Sequence, residues 1–395
     1  MEIRRSPGWL TAGMQHLQEK GADRTMTEIK TPVIYENVPG ILAEGAAKIA
    51  QYGNKIFIIG GQTALDAARP LIEGLKLLES AFEIHTYSGY CTKERIGHYA
   101  ALARRSKADL IAGVGGGSVL DLSKAVADEL ELPAVTVPTI AATCAAWSAL
   151  SVLYDAEGRA DGYRPLQSSP VLVLADTNVL AAAPRRYLAA GIADTYVKWN
   201  ETGANIKDTA DDFAVRLGHH TAGFARAILD RHALDAFAQA GDGVPGRSFK
   251  EVSDAILWLA GQVGSIREGG RSIALAHTLH DSLTFFPETH GTLHGEKIAF
   301  TLLVHTALEG LPKAETLVLA ERFHRLELPV TLKQLGFTGD LRLTADQIAG
   351  RVNLERLAWA DADFSLDAQS ISQAIIEADF AGSQVQLSIS AKGGV

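Results

Sequence analysis

An alternation through the first half of the chain is the strongest constraint on its fold. "NKIFIIGG" (54–61), "AFEIHTYSG" (81–89), "ADLIAGVGGG" (108–117), "PAVTVPT" (133–139) and "PVLVLAD" (170–176) are short β-branched runs. "TALDAARPLIEGLKLL" (63–78), "TKERIGHYAALARRSK" (92–107) and "SVLDLSKAVADEL" (118–130) follow the first three and carry helical spacing. Strands and helices alternating at these lengths predict a parallel, doubly wound sheet. After about residue 181 the period changes. "PRRYLAAGIADTYVKWNETGAN", "DTADDFAVRLGHHTAGFARAILDRHALDAFAQA" and "FKEVSDAILWLAGQVGSI" are helical in period. The fold class read from this is α/β followed by all-α.

A length of 395 residues suits two domains, because single cores stop growing at roughly 250–300 residues. The pattern divides the chain into an extension at 1–28, an α/β domain at 29–180 and a helical domain at 181–395. The cleft between two such domains is the expected meeting place of a cofactor and a small-molecule substrate. A formal net charge of −9, spread along the chain, argues against a nucleic-acid or anionic-membrane partner. Two cysteines, Cys91 and Cys144, exclude a disulfide scaffold and fit a reducing compartment. No stretch approaches the roughly 20 apolar residues that span a bilayer, and the first 30 residues do not read as a secretory leader. The expectation is a cytoplasmic protein.

"GVGGGSVLDLSK" (113–124) lies where a strand ends and a helix begins. Gly115, Gly116 and Gly117 let a ligand approach the backbone, and the helix start offers unpaired N–H groups to a pyrophosphate. It is neither a GxGxxG fingerprint nor a Walker loop. A tight connection, with Asp121 and Lys124 paired along the helix, explains the run equally well.

The second candidate is "AHTLHDSLTFFPETHGTLHGEK" (276–297), with His277, His280, His290 and His294 in one segment. His277 and His280 share a helix face, and His294 follows a loop containing Pro287 and Gly291. A lone helix histidine is ordinarily a satisfied polar residue. However, "AGIADTYVKW" (190–199) places Asp194 in a closely packed Ala/Gly-rich helix, a poor place for an unpaired carboxylate. Two imidazoles, a carboxylate and an open position suit a catalytic zinc and also an open iron(II) site.

"GVGGGSVLDLSKAVA", "VPTIAATCAAWSALSVLY" (137–154), "AAGIADTYVKW" and "AHTLH…THGTLHGEKIAF" occur in the order and spacing of a known family. From about residue 30 to 310 the chain resembles the glycerol dehydrogenase branch of the metal-dependent alcohol dehydrogenases. Its "TIAATCAAW" is most similar to the hydroxycarboxylate dehydrogenases, which reduce 2-oxo acids with a nicotinamide cofactor. The resemblance implies a dehydroquinate-synthase-like fold, with a Rossmann-like N-terminal domain and a helical C-terminal domain, and a homo-oligomer. It implies metal ligation by Asp194, His277 and His294, leaving His280 as a proton relay or a lining of the nicotinamide site and His290 outside the site. It implies cofactor contacts from Gly117, Ser118, Asp121, Thr139, Thr143, Ser148, Leu150 and Tyr154, with the pyrophosphate on residues 115–118.

The chain departs from that pattern at three places. Lys198 stands where iron-type relatives carry a second histidine ligand, which favours zinc over iron. It reads either as a surface lysine paired with Glu201 or as a pocket residue. Cys144 replaces an aspartate that touches the polyol in the glycerol enzymes, and Trp147 replaces a smaller residue, which turns the expectation from glycerol towards a 2-oxo acid. Lys198 and Arg271 are then the candidate partners of its carboxylate. Gly61 stands where NAD-preferring relatives carry an acidic residue, so NADP joins NAD as a candidate cofactor. The expected reaction is hydride transfer between the nicotinamide and a small 2-oxo or 2-hydroxy acid. A polyol or alcohol dehydrogenase is the nearest alternative, and a dehydroquinate-synthase-like cyclase the more distant one.

Overall fold

The computed structural model describes residues 28–206, 213–267, 274–356 and 364–392. Nearly all of the 1–28 extension and Arg271 lie outside the described residues. The N-terminal part runs β1 (Glu28–Ile29), β2 (Ile34–Asn37), α1 (Leu42–Ile49), β3 (Lys55–Gly60), α2 (Gln62–Ala67), α3 (Arg69–Leu77) and β4 (Ala81–Thr86). It continues through α4 (Lys93–Arg105), β5 (Leu110–Gly115), α5 (Gly117–Leu130), β6 (Ala134–Pro138), β7 (Leu150–Tyr154), β8 (Ala160–Pro165) and β9 (Leu172–Ala175).

Six of these strands form one parallel sheet in the order β2-β9-β6-β5-β3-β4. Helices cover both faces, so its central strands carry apolar side chains in both directions. On β3, Ile56 and Ile58 pack with Leu42, Leu71 and Leu75, while Phe57 and Ile59 pack with Ile96, Ala100, Leu122 and Val126. After β3 the chain moves outward to β4 and then back across to β5. The strand order therefore reverses between β3 and β5, which opens a crevice at their C-terminal ends. The turns at Gly60–Gly61 and Gly115–Gly117 frame that crevice. β7 and β8 form a separate antiparallel hairpin.

Helices take over from residue 177: α6 (Thr177–Ala182), α7 (Arg185–Ile206), α8 (Phe213–Gln239) and α9 (Arg247–Asp254). A π-helical turn at Ala255–Leu259 leads into α10 (Ala260–Ser265), and β10 (Ile266–Arg267) pairs antiparallel with β1. Then come α11 (Leu275–Leu283), α12 (His294–Leu308), α13 (Lys313–Arg325), α14 (Leu341–Ala349) and α15 (Ala368–Lys392). A parallel sheet domain followed by a helical domain is the α/β plus all-α architecture expected from the sequence. Among the described residues no helix is long and apolar enough to cross a membrane.

Two glycines set how closely the site-bearing segments approach. A Cβ on Gly191 would lie 2.2 Å from the Ala141 carbonyl oxygen, and one on Gly295 would lie 1.9 Å from that of Ala190. Any side chain at either place collides with backbone. The 139–148 loop and the start of α12 thus both reach α7 at the level of Asp194.

Candidate active site

Asp194 on α7, His277 on α11 and His294 at the start of α12 converge. The Nε2 atoms of His277 and His294 are each 3.4 Å from Asp194 Oδ1. One ligand atom from each of the three residues lies within 4.8 Å of the others. Asp194 is almost fully buried. Its burial opposes ionisation, but the Lys198 charge above all, with both histidines alongside, holds it well below the usual carboxylate range.

The opposite ring nitrogens are already committed. His277 Nδ1 lies 2.8 Å from Glu201 Oε2 and 2.9 Å from Oε1, and the His277 backbone N–H also donates to Oε1. An ionised carboxylate only accepts, so Nδ1 carries the proton and Nε2 presents a lone pair to Asp194. Burial opposes a charge on His277 and Glu201 favours one, while the Lys198 ammonium, a donor only, lies 3.3 Å from Nε2 and requires a lone pair there.

His294 Nδ1 lies 3.0 Å from His280 Nε2, and His280 Nδ1 lies 3.1 Å from Asp281 Oδ1. Burial, with His294 alongside, pushes the His280 pKa down to about 3, so this ring is neutral. Its Nδ1–H donates to Asp281 and its Nε2 accepts from His294. That leaves a lone pair on His294 Nε2 as well. Two imidazole lone pairs and a carboxylate oxygen meet at one place, which is the donor set a metal ion requires. His290 is exposed and outside the cluster.

Lys198 is not a surface lysine. Its side chain is turned inward with 14% of its surface exposed, and its ammonium lies 3.2 Å from Asp194 Oδ1 and 3.3 Å from His277 Nε2. Burial alone would lower its pKa, but the neighbouring Asp194, Cys144 and Glu201 raise it above the usual lysine value. Cys144 is half-buried on the 139–148 loop. Burial pushes its thiol up to about 11 despite Lys198 nearby.

Trp147, which reads from the sequence either as core packing or as the rim of a substrate pocket, is packed between aromatic rings. Its ring packs against Trp258 and Tyr35, at 6.0 and 5.5 Å between centroids. Its Cβ and ring also fill the space over Gly261. Three aromatic rings joining the sheet edge to the π-helical turn are interdomain packing. His219 stacks on Trp199 at 4.1 Å and bonds Thr202, apart from the cluster.

The expected cofactor contacts gather around the crevice. Gly115 has φ +156, a conformation side chains rarely adopt, and a Cβ on Gly116 would lie 2.6 Å from Ile140. Ser118 Oγ donates to the Gly89 carbonyl, Thr139 N–H bonds the Gly115 carbonyl, and Thr143 faces Gly117. Asp121, Ser148 and Leu150 meet at Lys124, whose ammonium bonds Asp121 Oδ1 and the carbonyls of Ser148 and Leu150. Asp121 Oδ2 also accepts the Val152 N–H. Asp121 is therefore committed to anchoring β7 onto α5. Tyr154 packs beside Tyr90, and its burial raises the phenol pKa.

Residues 32–177 match the family described as iron-containing alcohol dehydrogenase. A glycerol dehydrogenase of Pseudomonas putida is 35% identical over 319 residues, covering 77% of this chain and 85% of its own. The chain belongs to the iron-containing alcohol dehydrogenase family. It is accordingly an oxidoreductase acting on CH–OH groups, in a family that uses a nicotinamide dinucleotide and a metal ion. Hydroxycarboxylate dehydrogenase A of Escherichia coli K12 is 37% identical over 281 residues, 70% of this chain and 76% of its own. Among solved structures, a probable glycerol dehydrogenase from Sinorhizobium meliloti 1021 superposes with TM-score 0.81 at 26% identity. It covers 91% of this chain and 99% of that one.

Proposed function

We propose that this family member transfers hydride between a nicotinamide dinucleotide and a small polyol or its carbonyl partner, with Asp194, His277 and His294 as metal ligands. The convergence of one carboxylate oxygen and two imidazole lone pairs carries the reading, because both opposite nitrogens are already held by Glu201 and His280. Glycerol dehydrogenases recur among the relatives, which favours a polyol over the 2-oxo acid expected from Cys144 and Trp147. Trp147 packs against Tyr35 and Trp258, which leaves Cys144 as the residue that speaks for a 2-oxo acid.

A metal ion held by these residues supplies Lewis acidity to the substrate oxygen, and the dinucleotide supplies or takes the hydride. The protein's part is position and charge. Glu201 fixes the His277 ring, His280 keeps a proton on His294 Nδ1, and Gly191 and Gly295 bring the loop and α12 against α7. Gly115–Ser118 at the crevice receives the pyrophosphate. Three ligands with Lys198 beside them favour zinc over iron. The end of β3 presents Gly61 and no carboxylate, so a 2′-phosphate is not repelled and NADPH is accepted beside NADH.

A second reading, a small 2-hydroxy acid, is favoured by the buried Lys198 ammonium and the hydroxycarboxylate relative. The deciding experiment follows absorbance loss of NADH and NADPH with dihydroxyacetone, glyceraldehyde and a panel of short 2-oxo acids. Turnover of dihydroxyacetone above the oxo acids is the expected result. Preference for an oxo acid would establish the second reading, and no turnover of any of them would defeat both.

A further inference from the structure

Lys198 raises a question that the ligand set does not answer. Its ammonium bonds Asp194 Oδ1 and His277 Nε2, two of the three atoms through which a metal ion would be held. An ammonium has three donors and no acceptor, and a buried one must find lone pairs. Here it finds the same lone pairs a metal ion needs. A metal ion bound at His277 Nε2 takes that lone pair, and Lys198 must give up its bond there. The charge balance runs the same way. Asp194 and Glu201 are two buried carboxylates close to one ammonium, and a divalent cation adds a second positive centre beside it in a poorly screened site.

We propose that Lys198 is an internal counter-cation of the metal site: it neutralises Asp194 and occupies its partners in the metal-free protein, and it weakens divalent-cation affinity by competing for them. The proposal rests on reading Asp194, His277 and His294 as metal ligands. It gives the fourth family position a role opposite to that of a ligand. Metal exchanges more readily from such a site, and the cluster keeps its shape without metal, because Asp194 keeps a cation beside it.

The test measures Zn2+ affinity by competition with a chromogenic chelator in wild type, Lys198→Met, Lys198→Gln and His277→Ala. Zn2+-induced shifts of thermal unfolding give a second readout and report whether each variant folds. Both Lys198 variants are expected to bind Zn2+ at least tenfold more tightly than wild type, while His277→Ala loses binding. Equal affinity in the Lys198 variants overturns the counter-cation role, and weaker affinity would make Lys198 a ligand. In either of those cases a deficient His277→Ala leaves the metal site itself standing. If wild type binds no better than His277→Ala, the ligand assignment fails and the proposal falls with it.

Discussion

Glu201 shows how much one side chain beyond the ligands controls. Its carboxylate takes both the ring N–H and the backbone N–H of His277, so it sets the tautomer, the ring plane and the start of α11 together. Glu201→Gln keeps the volume and removes the charge. Partners of this kind are typically worth about 10–100-fold in metal affinity or activity, and a loss of that size is expected in both chelator competition and kcat/KM. Wild-type values for both would reduce Glu201 to packing. Asp194 and a cluster of four histidines stand out in the sequence as metal-type residues, and the family resemblance is what selects His277 and His294 among them. Glu201 is harder to read, since it looks like a surface partner for Lys198. The missed signal is helical: Asp194, Lys198 and Glu201 stand at i, i+4 and i+7 on one face. Trp147 is illegible for another reason. Its partners Tyr35 and Trp258 are remote in sequence, and no local pattern announces that they meet.

At the scale of elements, the site depends on helices meeting at backbone distance. Gly295 lets the first turn of α12 press against Ala190, with a Cβ position only 1.9 Å from that carbonyl oxygen. Gly295→Ala must push α12 outward and carry His294 with it. The expected cost is about 2–4 kcal/mol of stability, read by denaturant unfolding, together with a loss of zinc affinity. An alanine variant with unchanged stability and affinity would show that α12 can shift without moving His294. The five strands read from the sequence correspond to β3, β4, β5, β6 and β9; four are buried and make apolar runs, while β4 is an exposed edge strand that reads through its position between two helical stretches. β2 and the β7–β8 hairpin escape that signal. β2 is a four-residue edge strand, and β8 is strongly polar. The helix expected across 63–78 is two helices, α2 and α3, meeting at Ala68. Pro70 begins the second one, where its missing N–H costs nothing.

At the scale of the molecule, the core of the helical half extends into one side of the sheet domain, while the two faces around β3 pack in clusters of their own. Val173 and Ala175 of β9, Leu120 of α5 and Ala141 of the crevice loop belong to the same buried cluster as Ile192, Ile256, Leu275 and Phe300 of the helical half. The Tyr35–Trp147–Trp258 stack adds a second bridge. Separable domains usually meet through smaller, more polar surfaces, and chains of this size often unfold in steps. Shared apolar burial predicts one cooperative calorimetric transition instead. Under the proposed assignments, Zn2+ binds entirely within α7, α11 and α12, and the dinucleotide binds at the sheet crevice. Zn2+ at a hundred times its Kd contributes about 2.7 kcal/mol, and saturating dinucleotide contributes by the same rule. Each ligand alone should therefore raise the whole transition by roughly a few degrees without splitting it. Two resolved transitions, with Zn2+ moving one and dinucleotide the other, would show that the shared cluster does not couple the halves. The crevice would then be a joint between separately stable bodies, and the approach of the 139–148 loop to α7 would have to be re-formed at each turnover.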